Sequence, residues 1–386
     1  MNKVELTETL HVAAPPETVA RAIASPYGLT AWCCDEARSE MKEGGRLLLQ
    51  WQDGRQATGR WSSFDPARHL AFSALDDQGA ILEASFTLAP GAGTTALSAQ
   101  ISAPATTDDP ADVAAEWRQR LADLGAYAAE GVYARQARRP MLGIWGDFER
   151  DEDGSGAFVG GVVDGGGAEK AGLGKGDTIV AIDEGAITGW GDLGAVLDAH
   201  DAGDTVAVRV LREGEAHDLS LTLDARQPFD APTDPSEIEA RGEALIERLE
   251  AVLDGLDPAE ADFRPDMGEW SIREVLAHLI ASERFAQMSL QARARDADPV
   301  GWIGGPETLL QRVLRTRPFS ELRTQLVEDL RLSLGLARAV LDDDADPALA
   351  RAFGENLAFT EMHVNDHIGQ ISANRTAARE TRAIGG

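Results

Sequence analysis

Polar and apolar positions along the 386-residue chain keep three different rhythms in turn. The first alternates with a period of two, which puts every second side chain on one face of a strand. Lys3–Val12 shows it, and Gly45–Trp51, Ala57–Trp61, His69–Ser73, Ala80–Leu88 and Thr94–Ile101 repeat it. A short helix starting at Pro15-Pro16 and ending near Ile23 interrupts the run, with proline where a helix tolerates it. A long helix over Asp109–Glu130 closes it, because Trp117, Leu121, Leu124 and Tyr127 recur at helical spacing. Together these elements predict an antiparallel sheet wrapped around a helix, an α+β domain over residues 1–135.

The second rhythm, over 138–226, is one of short strands separated by glycine turns. Gly156–Val163, Asp177–Ile182, Asp204–Leu211 and His217–Leu223 read as strands, the last two joined at Glu213-Gly-Glu. A helical stripe over Trp190–His200 lies among them, so this domain is mostly β. The third rhythm has the 3.6-residue period of helices, over 236–256, 271–294, 319–342 and 356–377. Ser271-Ile-Arg-Glu274 reads as a capping box at the start of the second stretch. A crossover rich in breakers, Asp298–Pro306, precedes the third, and Trp302 within it is either a pocket-mouth residue or a surface anchor. An all-α four-helix bundle over 236–380 follows. Two seams separate the three parts, Gly131–Pro140 and the acidic, proline-rich Asp224–Pro235, which reads as a stiff exposed linker.

The helical part carries the chain's most pointed chemistry. His363 and His367 are four residues apart, so they stack on one helix face, and His278 lies on the inward stripe of an earlier helix. Three neutral imidazoles with coordination positions to spare suit a reactive metal site better than a sealed structural one. Paired histidines also occur packed or solvated without an ion. Here Phe359, His363, His367 and Ile371 form one stripe, and Val275, His278, Leu279 and Ser282 another. Histidines turned towards a core need partners, and a shared ion would satisfy all three. Asp366 and Glu283, close in sequence to them, either hold the imidazoles in place or face solvent.

Composition narrows the partners. A formal charge of -29 and a pI near 4.5 argue against nucleic acid and anionic membranes. No stretch approaches the ~20 apolar residues of a membrane span, and the N-terminus has no charged-then-apolar leader. The only cysteines, Cys33 and Cys34, are neighbours that bridge one another poorly, which points to the cytoplasm. They read as buried residues or as rim thiols, with no basic neighbour close in sequence.

Each part resembles a known family. Trp270-Ser271-Ile272 leading to Leu-Ala-His278-Leu, with His363-x3-His367 near the last helix, resembles the DinB-like family. That resemblance implies a divalent cation, zinc or nickel, held by His278, His363 and His367, and in some members transfer of low-molecular-weight thiols. Ala168-Glu-Lys-Ala-Gly172-Leu173-Gly-Lys-Gly176-Asp177-Thr-Ile-Val resembles a PDZ domain of the HtrA type, with Gly167 where the family often has proline. It implies that Leu142, Gly143 and Ile144 cradle the carboxylate of a partner's C-terminal peptide, although such domains also serve as spacers. No protease domain accompanies it, and Gly154-Ser155-Gly156 has no histidine base nearby. Ala13-Ala-Pro-Pro-Glu-x-Val-x-x-Ala-Ile, Trp32, Gly44-Gly45, Gly59-x-Trp61 and Trp117-x3-Leu-x2-Leu resemble the START-like (SRPBCC) branch named after a chaperone ATPase activator, a helix-grip fold. It implies an apolar cavity for a small apolar ligand, with Trp32, Trp51, Trp61, Phe72, Phe86 and Trp117 either lining it or filling the core.

Two functional classes follow. In one, the helical part is a metal-dependent transferase or hydrolase, and the other two recruit a peptide and an apolar molecule. In the other, the chain is a non-catalytic adaptor that joins an apolar ligand to a partner's tail.

Overall fold

The structure, a computed structural model, describes residues 3–51, 54–105, 109–146, 155–197, 199–226, 230–266, 269–298, 304–341 and 345–385, so Trp302 and Gly154 lie outside it. Two compact units emerge: residues 1–24, 28–127 and 133–228 form one, and 25–27, 128–132 and 229–386 the other.

In the first unit, period-two alternation builds a seven-stranded antiparallel sheet. Its elements are β1 (Lys3–Val12), α1 (Pro16–Ala24), α2 (Pro26–Trp32), β2 (Glu36–Ser39), β3 (Arg46–Gln50), β4 (Gln56–Asp65), β5 (His69–Asp76), β6 (Ile81–Pro90) and β7 (Thr95–Pro104). The strand order is β1-β7-β6-β5-β4-β3-β2, a meander to whose last strand β1 returns, with Leu6 opposite Ile101. Leu82, Ala84, Phe86 and Leu88 on β6 and Leu97, Ala99, Ile101 and Ala103 on β7 give that sheet one buried face. The helix α3 (Pro110–Glu130) buries Trp117, Leu121 and Leu124, and a short α4 (Ala134–Arg138) follows. The sequence pattern missed α2 and β2. The first is a seven-residue helix behind a proline, and the second buries a single side chain, Ala37, so neither is long enough to show a period.

The same unit contains β8 (Pro140–Met141), β9 (Ile144–Gly146), β10 (Ala157–Val162), α5 (Gly167–Lys170), β11 (Thr178–Ile182), β12 (Gly185–Ala186), α6 (Trp190–Leu197), β13 (Thr205–Arg212), β14 (Glu215–Thr222) and β15 (Asp224–Ala225). The main sheet runs β14-β13-β11-β10-β9, with β12 beside β11, while β15 pairs with β8. Val206, Val208 and Val210 alternate inward on β13. Its hairpin turns on Glu213 and Gly214, whose φ angles of 52° and 85° are both positive, as the tight turn that matches strand twist requires.

The second unit is helical: α7 (Pro235–Leu253), α8 (Pro258–Asp262), α9 (Ile272–Ala294), α10 (Gly304–Leu314), α11 (Phe319–Val340) and α12 (Pro347–Gly385). The four long ones, α7, α9, α11 and α12, share a core that includes Leu245, Leu249, Leu276, Ile280, Leu326, Leu330, Phe353 and Ile371. Two boundaries differ from the sequence pattern. The crossover ends in α10, which starts inside the run of breakers, and α12 extends in both directions past the apolar stripe. Its start is capped by Asp346, which accepts from the Ala348 N–H at 2.8 Å.

The linker departs from expectation at both ends. Asp224 and Ala225 belong to a strand, and Pro232 is buried against α12; Gln227, Pro228 and Phe229 lie outside the described residues. Gly354 makes room for Pro232: a Cβ there would stand 1.8 Å from the Pro232 carbonyl oxygen and 2.8 Å from its carbon. Backbone cannot swing aside as a side-chain tip can. Gly354→Ala is therefore expected to destabilise the helical unit by about 1–3 kcal/mol, measured as a lowered midpoint in chemical denaturation followed by far-UV circular dichroism.

Candidate metal centre

His278 sits on α9 and His363 and His367 on α12, and the packing of these two helices brings the imidazoles together. Local chemistry sets the register. Ser271 and Glu274 form the expected capping box, with the Ser271 N–H donating to Glu274 Oε2 at 2.9 Å, so α9 starts two turns before His278. On α12, Glu361 is bound by Arg241 of α7, Nη2 to Oε2 2.5 Å. Trp270, just before the cap, is tied across to α12, its carbonyl accepting from Asn374 Nδ2 at 2.7 Å.

Three nitrogens meet in the space so made. His363 Nε2 lies 2.9 Å from His278 Nε2 and 3.2 Å from His367 Nε2, and one ligand atom from each ring falls within 4.8 Å of the others. His367 is buried and the other two are half-buried. Burial and the neighbouring imidazoles push His278 down to about 2, burial and His367 push His363 down to about 4, and burial lowers His367. All three are neutral at neutral pH, the state in which imidazole ligates.

Their outer nitrogens are held as well. His367 Nδ1 donates to Gln370 Oε1 at 2.8 Å, which leaves its Nε2 a bare lone pair. His278 Nδ1 faces the Gln311 side-chain amide at 2.9 Å. Sequence reasoning missed both glutamines. Gln370 was legible, three residues beyond a ligand on the same helix, but Gln311 belongs to the helix hidden in the crossover. Asp366 is exposed, and Glu283 is buried with Ser333 as its hydrogen-bond partner. Aromatic rings complete the walls: Trp270 stacks on His367 at 6.3 Å and tilts against His278 at 4.9 Å, while Phe359, 46% exposed, leans on His363.

This geometry tests whether an ion fits. His363 Nε2 has one in-plane site, so it either donates or accepts, yet it touches two nitrogens. With His367 Nε2 a lone pair opposite Gln370 Oε1 and His278 Nε2 an N–H opposite Gln311 Nε2, His363 Nε2 satisfies only one of its two contacts. One cation among the three lone pairs removes the conflict, and tetrahedral ligation at about 2.0–2.1 Å would set the nitrogens about 3.4 Å apart. The observed 2.9 and 3.2 Å need only a slight outward movement. A half-turn of the Gln311 amide then lets its oxygen accept from Nδ1–H, freeing His278 Nε2.

The other candidate residues fall elsewhere. Leu142 is buried, Gly143 has a left-handed φ of 74°, and Ile144 opens β9, an edge strand. Trp32, Trp61, Phe72 and Phe86 are fully or almost fully buried, and Trp117 is 7% exposed. Trp32 meets Phe86 and Trp117 edge-on, and Trp61 meets Phe72. Trp51 is half-buried, donating to the Cys33 carbonyl at 3.0 Å under the Arg55 guanidinium. Cys33 and Cys34 are fully buried. Arginines distant in sequence reach them, Arg120 bonding the Cys33 carbonyl and Arg135 the Cys34 carbonyl. A hydrogen bond from Cys34 and these charges pull the Cys33 thiol down, whereas burial pushes Cys34 up.

Comparison with known proteins fits this division. Family models match three successive stretches: Activator of Hsp90 ATPase homolog 1-like protein over 13–129, PDZ domain over 140–223 and DinB superfamily over 241–371. The chain is thus a multidomain fusion of START-like, PDZ and DinB-like parts. A periplasmic serine protease do/HhoA-like protein of Haemophilus influenzae is 36% identical over an alignment of 98 residues that covers 23% of this chain and 21% of the protease. The chain thus spans about a fifth of that relative's length. Among solved structures, CalU16 of Micromonospora echinospora is similar at 23% identity over 32% of this chain and 76% of its own, TM-score 0.27. The Aha1 dimer from Colwellia psychrerythraea is similar at 18% identity over 33% of this chain and 96% of its own, TM-score 0.28. No described helix is long and apolar enough to cross a membrane.

Two expectations follow. Gln311→Ala and Gln370→Ala should each weaken binding of added zinc by about 10–100-fold, read by competition with a chromogenic chelator. The second concerns the metal-free chain. Its folded histidine pKa values lie below the unfolded value of 6.5, so the unfolded state takes up protons first as pH falls. Stability contributed by these neutral rings is whole above pH ~6.5 and declines from there towards pH ~4. Denaturation midpoints across that window should fall, and fall less in His278→Leu.

Proposed function

We propose that the helical unit is a metal-dependent transferase of low-molecular-weight thiols, or a hydrolase, with zinc or nickel held by His278, His363 and His367. The observation that carries this reading is the meeting of three imidazole nitrogens, with His363 Nε2 2.9 Å from His278 Nε2 and 3.2 Å from His367 Nε2. Bound there, a divalent ion supplies Lewis acidity that lowers the pKa of a thiol or a water. The chain's own groups do the rest. Gln311 and Gln370 fix the imidazole orientations, Trp270 shields two rings from water, and Phe359 stands at the exposed side. In this reading the protein works in the cytoplasm, where a thiol cosubstrate and Cys33 and Cys34 stay reduced. The PDZ part would take a partner's C-terminal peptide along the β9 edge, its carboxylate on the backbone of Leu142, Gly143 and Ile144.

A second reading, the non-catalytic adaptor, draws support from the START-like part. Trp32 Nε1 is buried without a hydrogen-bond partner, and an apolar ligand bearing one acceptor would satisfy it. The metal distinguishes the two. Elemental mass spectrometry of the purified chain should find about one divalent ion, lost in the His363→Ala, His367→Ala double variant. Transfer of a small thiol to an electrophilic acceptor should disappear with it. A chain that stays empty after incubation with zinc or nickel would sink the enzymatic reading and leave the adaptor.

A further inference from the structure

The helical unit buries a second polar centre that the histidines do not use. A cavity of about 30 Å³ lies among α7, α9, α11 and α12, room for roughly two water-sized groups. Apolar side chains such as Leu245, Leu330 and Phe353 make most of its wall, and Glu283, Ser333, Asn356 and Thr360 are its polar lining residues. Glu283 is 5% exposed and, among the described lining residues, it is the one that carries charge.

Nearby charges are arranged unequally. On α11, Asp329 receives Arg284 Nε at 2.9 Å and Gln325 Nε2 at 2.8 Å, so its charge is matched. Glu283 accepts from Ser333 Oγ, which is itself oriented by Gln287 Nε2 at 3.2 Å. No lining residue on α7 or α12 is charged, and the neighbouring acid is Asp329. Burial, reinforced by Asp329 against the Ser333 bond, pushes Glu283 up to about 7. A carboxyl so placed keeps its proton to higher pH than an exposed one, and a cation could take that proton's place.

We propose that this cavity binds the aminomethyl end of a primary alkylammonium compound. Its three N–H groups would meet oxygens of Glu283, Asn356 and Thr360, and the leucine and phenylalanine walls would cover the adjoining methylene. A hydrated metal ion suits such walls poorly, and a neutral alcohol would leave the carboxylate without a countercharge.

Calorimetry on the full chain tests this with methylammonium, ethylammonium and n-butylammonium beside methanol, ethanol and n-butanol. The amines should bind at one site, with protons released on binding and more released at pH 6 than at pH 8, read from heats in two buffers of different ionisation enthalpy. The sign follows from the bound cation favouring ionised Glu283. Glu283→Gln should weaken amine binding at least about tenfold and Thr360→Val several-fold, both with zinc binding at the histidines retained as evidence of folding. Alcohols binding as well as amines, absence of proton release at pH 6, or unchanged affinity in both variants would each overturn the proposal.

Discussion

Everything distinctive about the helical unit depends on holding three uncharged imidazoles nitrogen to nitrogen. Left to themselves such rings would separate or take up protons, since lone pairs repel and water rewards charge. Burial forbids the protons, and the apolar seam of α9 against α12 forbids separation. Trp270 is where these constraints join: its backbone is tied to Asn374 on α12, and its ring covers imidazoles from both helices. The capping box at Ser271 starts α9 immediately after this anchor, so helix register and ring cover are one arrangement.

Two acids within the same unit show how neighbours decide chemistry. Asp329 and Glu283 are similarly buried, at 6% and 5% exposed. One is matched by a guanidinium, whereas the other leans on a hydroxyl. Burial alone therefore does not determine an acid's charge. What matters is which donors its packing brings within reach.

How much of this the chain's linear pattern carries depends on how local each cause is. His363 and His367 are readable because four residues is one helical turn, and His278 because it falls on an apolar stripe. The hairpin turn at Glu213-Gly214 is readable for the same reason, its requirement resting on two residues. Gln311 is not, because the breakers before it disguise a helix whose reason to exist is a partner elsewhere. Glu283 reads in sequence as an acid that either holds the imidazoles or faces solvent, and only the approach of Ser333 and Asp329 from α11 gives it a different, buried setting. Arg120 and Arg135 reach the cysteines in the same non-local way. The aromatic residues of the first domain look alike in sequence, yet Trp32 at the end of α2 is sealed and Trp51 just past β3 is half-buried.

The contact between His278 and His363 spans 85 positions of chain. A ribosome makes α7, α9, α10 and α11 before either histidine of α12 exists. Throughout that interval the first imidazole has neither of its partner imidazoles, and the part of α9 that packs on α12 has nothing to close on. Assembly of the three-imidazole cluster is thus among the last events in this unit's maturation. The nascent helices are a stage at which a chaperone is the natural companion.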